Sequence, residues 1–190
     1  MASFRIDGAR VLLFLRHGQY EKVEGVYGGR LTATGRDQVR RAAKRLRAWP
    51  VDAIHSSDMG RARESAAIAQ EQLGLERVKV WRELREMLPT GYPGMHVGLE
   101  ERRRGKAQLD HLREHAFRPS RRARTELYVC HGNLIRSLVC EALGVRLTAW
   151  RKMRCSNGGI TSFAVFADED VRLLGYDDVG HLPPELVTTN

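Results

Sequence analysis

The sequence predicts an α/β fold: one domain spanning residues 1–190, built as a three-layer αβα stack around a mostly parallel central sheet. Three observations predict it. Short apolar runs alternate along the chain with stretches of helical periodicity, the signature of strands crossing over through helices. Polar residues gather at the carboxyl ends of those runs, where open α/β sheets place their binding crevice. The length of 190 residues also suits one domain, since domains commonly run to about 100–200 residues.

Taken in order, Arg10 to Leu15 (RVLLFL) reads as a buried strand that ends in Arg16-His17-Gly18. A glycine-rich loop (Gly25, Gly28, Gly29) follows. Thr34 to Asp37 has capping-box spacing, and Val39, Ala42, Ala43, Leu46 and Trp49 recur with helical period until Pro50 stops the helix. Val51 to His55 is a second strand, running into Ser56-Ser57-Asp58-Met59-Gly60-Arg61, and Ala62 to Leu73 is a helix closed by Gly74. Residues 78–84 predict a third strand, before a loop carrying Pro89, Gly91, Pro93, Gly94 and Gly98. The basic stretch 99–124 includes one solvated helix around Ala107 to His115. Glu126 to Cys130 is a strand, His131-Gly132-Asn133 a turn, and Leu134 to Leu143 an apolar helix stopped at Gly144. Ile160 to Phe166 and Val171 to Tyr176 form two closing strands joined by the turn at residues 167–170. The chain shows no internal repeat or low-complexity tract.

Hydrophobic residues at 42% and charged residues at 29% allow a sizeable core and exclude general disorder. The charge is unusual: Lys+Arg 32 against Asp+Glu 23 gives +9, and only five of the basic residues are lysine. That balance favours anionic partners without choosing among nucleic acid, an acidic membrane and phosphorylated substrates. Three cysteines with no CxxC pair describe neither a disulfide framework nor a zinc cluster, so a reducing, cytoplasmic setting is expected. Val11 to Leu15 is too short to span a bilayer and no signal peptide follows it, so no membrane partner is expected.

Three strand ends deliver Arg16-His17, Arg61 and His131 to one crevice. In composition this is a phosphate pocket. Guanidinium forks match phosphate oxygens bidentately, the helix amino termini near Arg61 and after His131 add oriented N–H groups, and a neutral imidazole nitrogen can attack phosphorus. No metal or other cofactor is required. Taken singly, each piece is a commonplace turn or surface residue; their shared position at strand ends gives them weight. His55, His111, His115 and His181 are read as incidental, because the i, i+4 pair His111/His115 has no third ligand in sight.

The ordered set Arg16-His17-Gly18-Gln19, Leu31 to Gln38, Ser56 to Ala62, Leu84-Arg85-Glu86 and Val129 to Arg136 resembles the successive motifs of the histidine phosphatase superfamily, which contains the phosphoglycerate mutase-like enzymes. Residues 130–153 (CHGNLIRSLVCEALGVRLTAWRKM), 157–163 (NGGITSF) and 174–188 (LGYDDVGHLPPELVT) resemble most the protein serine/threonine phosphatase branch containing mitochondrial phosphoglycerate mutase family member five. The resemblance implies a phosphoglycerate mutase-like fold and a metal-independent phosphomonoesterase. It makes His17 the nucleophile that becomes phosphorylated and Glu86 the acid and later base, with Glu83 as fallback. Arg16, Arg61, His131, Gly132 and Gln19 would hold the phosphate, His131 also steadying developing charge. Tyr20 to Val23 stand where mutases carry an asparagine, which argues against mutase activity. Asp58 replaces a common proline and puts an anion near the pocket.

The expected partners are a phosphorylated protein, peptide or small phosphomonoester, with inorganic phosphate as product. Oligomeric state is left open, a homodimer being one option. Three alternatives stand beside this. Cys130 to Ser137 satisfies C-x5-R-S, the loop of cysteine-dependent phosphatases, but the sequence has no Asp-Pro acid and that reading leaves Arg16-His17 and Arg61 unexplained. A small-molecule phosphatase of the same superfamily is the second alternative, the branch resemblance leaning toward phosphoprotein or phosphopeptide. A non-catalytic phosphoprotein or nucleic-acid binder would use the nine cations between Arg102 and Arg124, yet Phe117 alone interleaves among them for stacking, which disfavours nucleic acid.

Overall fold

The computed structural model describes residues 6–89, 96–120 and 122–189. In chain order the elements are β1 (Arg10–Arg16), β2 (Tyr20–Glu21), β3 (Arg30–Leu31), α1 (Ala33–Leu46), β4 (Val51–Ser56), α2 (Gly60–Leu73) and β5 (Val78–Val80). They continue with α3 (Leu99–His115), β6 (Arg124–Cys130), α4 (Gly132–Ala142), β7 (Ile160–Val165) and β8 (Val171–Asp178). Six strands make the central sheet in the order β5-β4-β6-β1-β7-β8. The first four run parallel, while β7 and β8 close one edge as an antiparallel hairpin.

Register explains where the site lies. Arg16 pairs with Cys130 at the last rung between β1 and β6, and Ser56 pairs with Val129 between β4 and β6. The residues that follow, His17, Ser57 and His131, therefore leave the sheet side by side at its carboxyl end.

The period of two along β1 builds both cores. Val11, Leu13 and Leu15 face α1 and α2, packing with Val39, Ala42 and Ala66, while Leu12 and Phe14 face α3 and α4, packing with Leu112, Leu134 and Leu138. Each such leucine removed from water contributes about 1.5–3 kcal/mol, so β1 is anchored from two sides just before it delivers Arg16 and His17.

Several boundaries differ from the sequence reading. The cap of α1 is Thr32, whose hydroxyl accepts from Gly35 N at 3.0 Å, so Thr34 already lies inside the helix. That helix ends at Leu46, three residues short of Trp49. The strand expected over 78–84 covers Val78–Val80 and then tightens into a 3-10 turn at Arg82–Leu84. The basic helix is longer than expected and only partly solvated: Gly105, Gln108, Leu109 and Leu112 form its buried face. The glycine-rich loop holds the small β2–β3 hairpin. Gly91, Pro93, Gly94 and Arg121 lie outside the described residues.

Candidate active site

The His17 turn is tightly built. A Cβ on Gly18 would stand 2.3 Å from Gly35 O, and one on Gly35 would stand 2.0 Å from Gln19 O. Only a pair of glycines allows the loop after β1 to lie directly on the first turn of α1. Behind the loop, Gly158 N donates to Arg16 O at 3.1 Å, Arg16 N donates to Gly159 O at 3.1 Å, and Asn157 Nδ2 donates to His17 O at 3.3 Å. Residues 157–159 thus form the wall that fixes Arg16 and His17.

His17 is 1% exposed. Its Nδ1 lies 2.8 Å from Gly18 O, which fixes the proton on Nδ1, and Arg61 Nε donates to Nε2 at 2.9 Å. Both contacts demand the same tautomer, with the lone pair on Nε2. Burial, then the Arg16 and Arg61 charges, hold this imidazole well below its ordinary pKa, so it is neutral near pH 7. Arg61 is itself positioned by Gly28 O, 2.8 Å from Nη1, and by the Tyr20 ring, 4.3 Å beneath its guanidinium carbon.

His131 is fully buried, its ring centroid 5.0 Å from that of His17. Its Nε2 lies 2.9 Å from Ser57 Oγ, which also accepts from Met59 N at 3.3 Å. Its Nδ1 has no hydrogen-bond partner among the described residues. A buried nitrogen left in that condition is a place for a ligand oxygen. Burial, then His17, Arg61 and Arg16, push this imidazole well below its ordinary pKa too.

Arg16 donates from Nη1 to Cys155 O at 2.5 Å. A Cβ on Gly132 would come 3.3 Å from Arg16 Nε, so the first residue of α4 lies against the guanidinium. Glu86 Oε1 accepts from Met87 N at 3.2 Å and from Asn133 N, in the first turn of α4, at 3.1 Å. Burial nevertheless raises its carboxyl above the usual range, against those hydrogen bonds and the charges of Arg16 and Arg61. Glu86 lines both a cavity of about 650 Å³ with Arg16, Gly132, Arg136 and Arg154, and a groove of about 500 Å³ with Tyr27, Arg82, Glu83 and Arg104.

Of the residues expected to act on phosphate, Arg16, Glu86 and Gly132 line the larger cavity, while His17, Arg61 and His131 are outside its lining and lie against one another. Gln19 is absent from its lining: its backbone N–H goes to Gln38 Oε1 at 2.7 Å and its side-chain oxygen accepts from Thr32 Oγ1 at 2.8 Å. Glu83 lines only the groove. Asp58 is claimed by Arg85, with Nε to Oδ1 at 2.7 Å and Nη2 to Oδ2 at 2.5 Å, so its charge is matched by a bidentate fork. Cys130 is fully buried, and burial keeps its thiol well above the ordinary range. The arginine of the cysteine motif, Arg136, donates to Gly132 O, Trp150 O, Met153 O and Asn133 Oδ1. Of the basic run, Arg104, Lys106 and Arg113 pair with Glu101 or Asp110, and Arg124 with Glu126. His111 and His115 stack at 4.0 Å.

The family model described as "Histidine phosphatase superfamily (branch 1)" matches residues 12–126 and 100–178, nearly the whole described fold. The chain belongs to the histidine phosphatase superfamily. It is therefore a metal-independent phosphatase, and the cysteine-dependent reading falls. This superfamily phosphatase is 31% identical over 193 residues to the mitochondrial serine/threonine-protein phosphatase Pgam5 of Drosophila yakuba, covering 95% of this chain and 67% of the relative. The Xenopus tropicalis protein of the same name is 29% identical, with 94% and 68% covered. Among solved structures, a mycobacterial glucosyl-3-phosphoglycerate phosphatase superposes with a TM-score of 0.68 at 24% identity, covering 89% of this chain and 99% of that one. A phosphoserine phosphatase mutant from Entamoeba histolytica, in complex with phosphoserine, gives 0.67 at 21%, covering 92% and 100%. These likenesses establish the phosphoglycerate mutase-like fold. The cytoplasmic expectation is overturned, because these curated relatives are named mitochondrial. The three cysteines are all buried free thiols, shielded by packing, so their count carried no information on compartment. Among the described residues no helix is long and apolar enough to cross a membrane.

Proposed function

We propose that this phosphatase hydrolyses phosphoserine or phosphothreonine in proteins or peptides through a phosphohistidine at His17. The observation that carries the mechanism is the state of that ring: buried, neutral, proton held on Nδ1 by Gly18 O, lone pair on Nε2 beside Arg61. An arriving phosphate dianion takes the Arg61 and Arg16 donors onto its oxygens and releases the lone pair, which attacks phosphorus. The Nε2–P bond forms as the ester P–O bond breaks, and Glu86, whose raised pKa favours the protonated acid, protonates the departing oxygen. His131 Nδ1, otherwise unpartnered, donates to a non-bridging oxygen once Ser57 donates to its Nε2. Water then attacks phosphorus and gives its proton to Glu86. The N–P bond breaks, inorganic phosphate leaves, and both side chains return to their starting states.

Two features support a peptide substrate: kinship at about 30% identity with named protein phosphatases, and the two cavities meeting at Glu86, which give chain on both sides of a phosphoresidue somewhere to lie. The tests are a substrate panel and a pair of variants. His17→Ala is expected to abolish hydrolysis of p-nitrophenyl phosphate and Cys130→Ser to retain most of it; the reverse outcome overturns the mechanism. Phosphopeptides are expected to exceed 3-phosphoglycerate and nucleotide phosphates in kcat/KM. Preference for one small metabolite by orders of magnitude overturns the substrate class.

A further inference from the structure

The larger cavity beside the phosphate pocket holds more positive charge than a phosphate monoester can answer. Arg16, Arg136 and Arg154 line it, the charge of Arg61 reaches it at Glu86, and Glu86 is the one carboxylate among the described residues of its lining. A bound phosphate brings about −2. With Glu86 ionised a positive charge remains, and with Glu86 protonated, as its role as acid requires, two remain.

Arg154 is the guanidinium placed to use that surplus. Its carbonyl is held by Tyr176 Oη, and its Nε donates to Ser156 Oγ at 3.2 Å. Ser156 in turn is fixed by Asp177, which accepts from Ser156 N at 2.6 Å and from Ser156 Oγ at 2.9 Å. The stem of an exposed arginine is thus steadied at its root and at Nε, while no carboxylate pairs with its terminal nitrogens among the described residues. The Ser156 hydroxyl stands between Asp177 and Arg154 Nε. Arg136, by contrast, spends four N–H bonds on Gly132, Trp150, Met153 and Asn133 and stacks at 4.7 Å on Trp150. It adds field to the cavity, and Arg154 is left as the group that can close on a ligand.

We infer that Arg154 forms a second anion subsite, which takes the carboxylate of an acidic residue flanking the phosphoresidue and so selects acidic phosphopeptides. This rests on the phosphopeptide reading above. The charge count and the fork at the cavity wall, unpaired among the described residues, carry it, and the planar guanidinium matches a carboxylate bidentately.

The experiment compares kcat/KM for matched phosphoserine peptides with Glu/Asp or with Ala in the flanking positions, for the wild type, Arg154→Ala and Arg154→Lys. The wild type is expected to favour the acidic peptide. Arg154→Ala should cut that preference about tenfold, through KM rather than kcat, and should flatten its salt dependence; Arg154→Lys should keep part of it. Equal losses on acidic and neutral peptides, or an unchanged preference, overturn the subsite while leaving phosphopeptide hydrolysis standing. No hydrolysis of either peptide by the wild type overturns the substrate class itself. An Arg154-dependent preference for a small bisphosphate over every peptide assigns the second anion to a metabolite and overturns the inference as stated.

Discussion

Glu126 offers the prediction whose magnitude the structure fixes most closely. It lies on β6, 2% exposed, in the strand that ends at Cys130, just before His131. Its Oε2 accepts from Arg10 Nε at 2.6 Å, while Oε1 faces His55 Nε2 at 3.3 Å and Arg124 Nη2 at 3.1 Å. Burial alone would raise this carboxyl, but the hydrogen bond with His55 and the Arg10 and Arg124 contacts outweigh it and hold the pKa at about 2, against an ordinary 4.5. A depressed acid stabilises the fold fully above its unfolded pKa, and that contribution is lost as pH falls toward the folded value. At about 1.4 kcal/mol per pH unit, the gap amounts to about 3 kcal/mol, of which about 2 kcal/mol is gone by pH 3. Other carboxylates titrate in the same window, so the measurement is a difference. Urea unfolding of the wild type and of Glu126→Gln is followed from pH 7 to pH 2. The wild-type advantage should shrink by about 3 kcal/mol across that range. An advantage that stays constant with pH would refute the electrostatic reading of this cluster and leave only packing.

Three further expectations concern the site. His17 must be neutral and Glu86 protonated, so kcat/KM on a phosphoserine peptide should rise through the lowered His17 pKa and fall as pH climbs through the raised Glu86 value. The profile is then bell-shaped, its basic limb belonging to Glu86, and a basic limb that survives unchanged in Glu86→Gln contradicts the assignment. Glu86→Gln should cost about 10²–10⁴-fold on phosphoserine but far less on p-nitrophenyl phosphate, whose leaving group needs no proton; equal costs would remove Glu86 as the acid. Arg85→Ala strips Asp58 of its partner and leaves a bare carboxylate close to the phosphate pocket, so KM should rise with little change in kcat. The double variant Arg85→Ala/Asp58→Ala should restore KM, and a failure to restore it would assign Arg85 a direct role instead.

Much of this site is legible in the amino-acid sequence. Arg16, His17, Arg61 and His131 follow strands that a parallel sheet aligns at one end, so short-range pattern and one topological rule brought them together. The stop of α2 at Gly74, with φ 66 in the left-handed region, was equally local. The basic helix runs longer than its pattern predicts because its buried face shows only Leu109 and Leu112 among charges, with Gly105 and Gln108 completing the stripe. Ser57 and Arg136 stand inside the matched motifs without a role attached to them there, while Asn157 and Arg154 show no local pattern that assigns them one. Their positions depend on β7 and β8 folding back against β1 and on the tail, where Asn157 N donates to Thr188 O at 2.8 Å and Gln38 Nε2 to Leu186 O at 2.7 Å. Contacts so distant in sequence have no periodicity to betray them. Glu86 lies between these cases, named through resemblance and given its acidity by burial beside the amino terminus of α4.

The most direct test of the central claim is to trap the intermediate. Rapid quenching of the wild type during turnover of a phosphorus-labelled phosphopeptide should yield a phosphoenzyme that is labile in acid, stable in base, and mapped by mass spectrometry to His17. It should vanish in His17→Ala and persist in Cys130→Ser. An acid-stable adduct, or one mapped to any residue other than His17, would contradict the account.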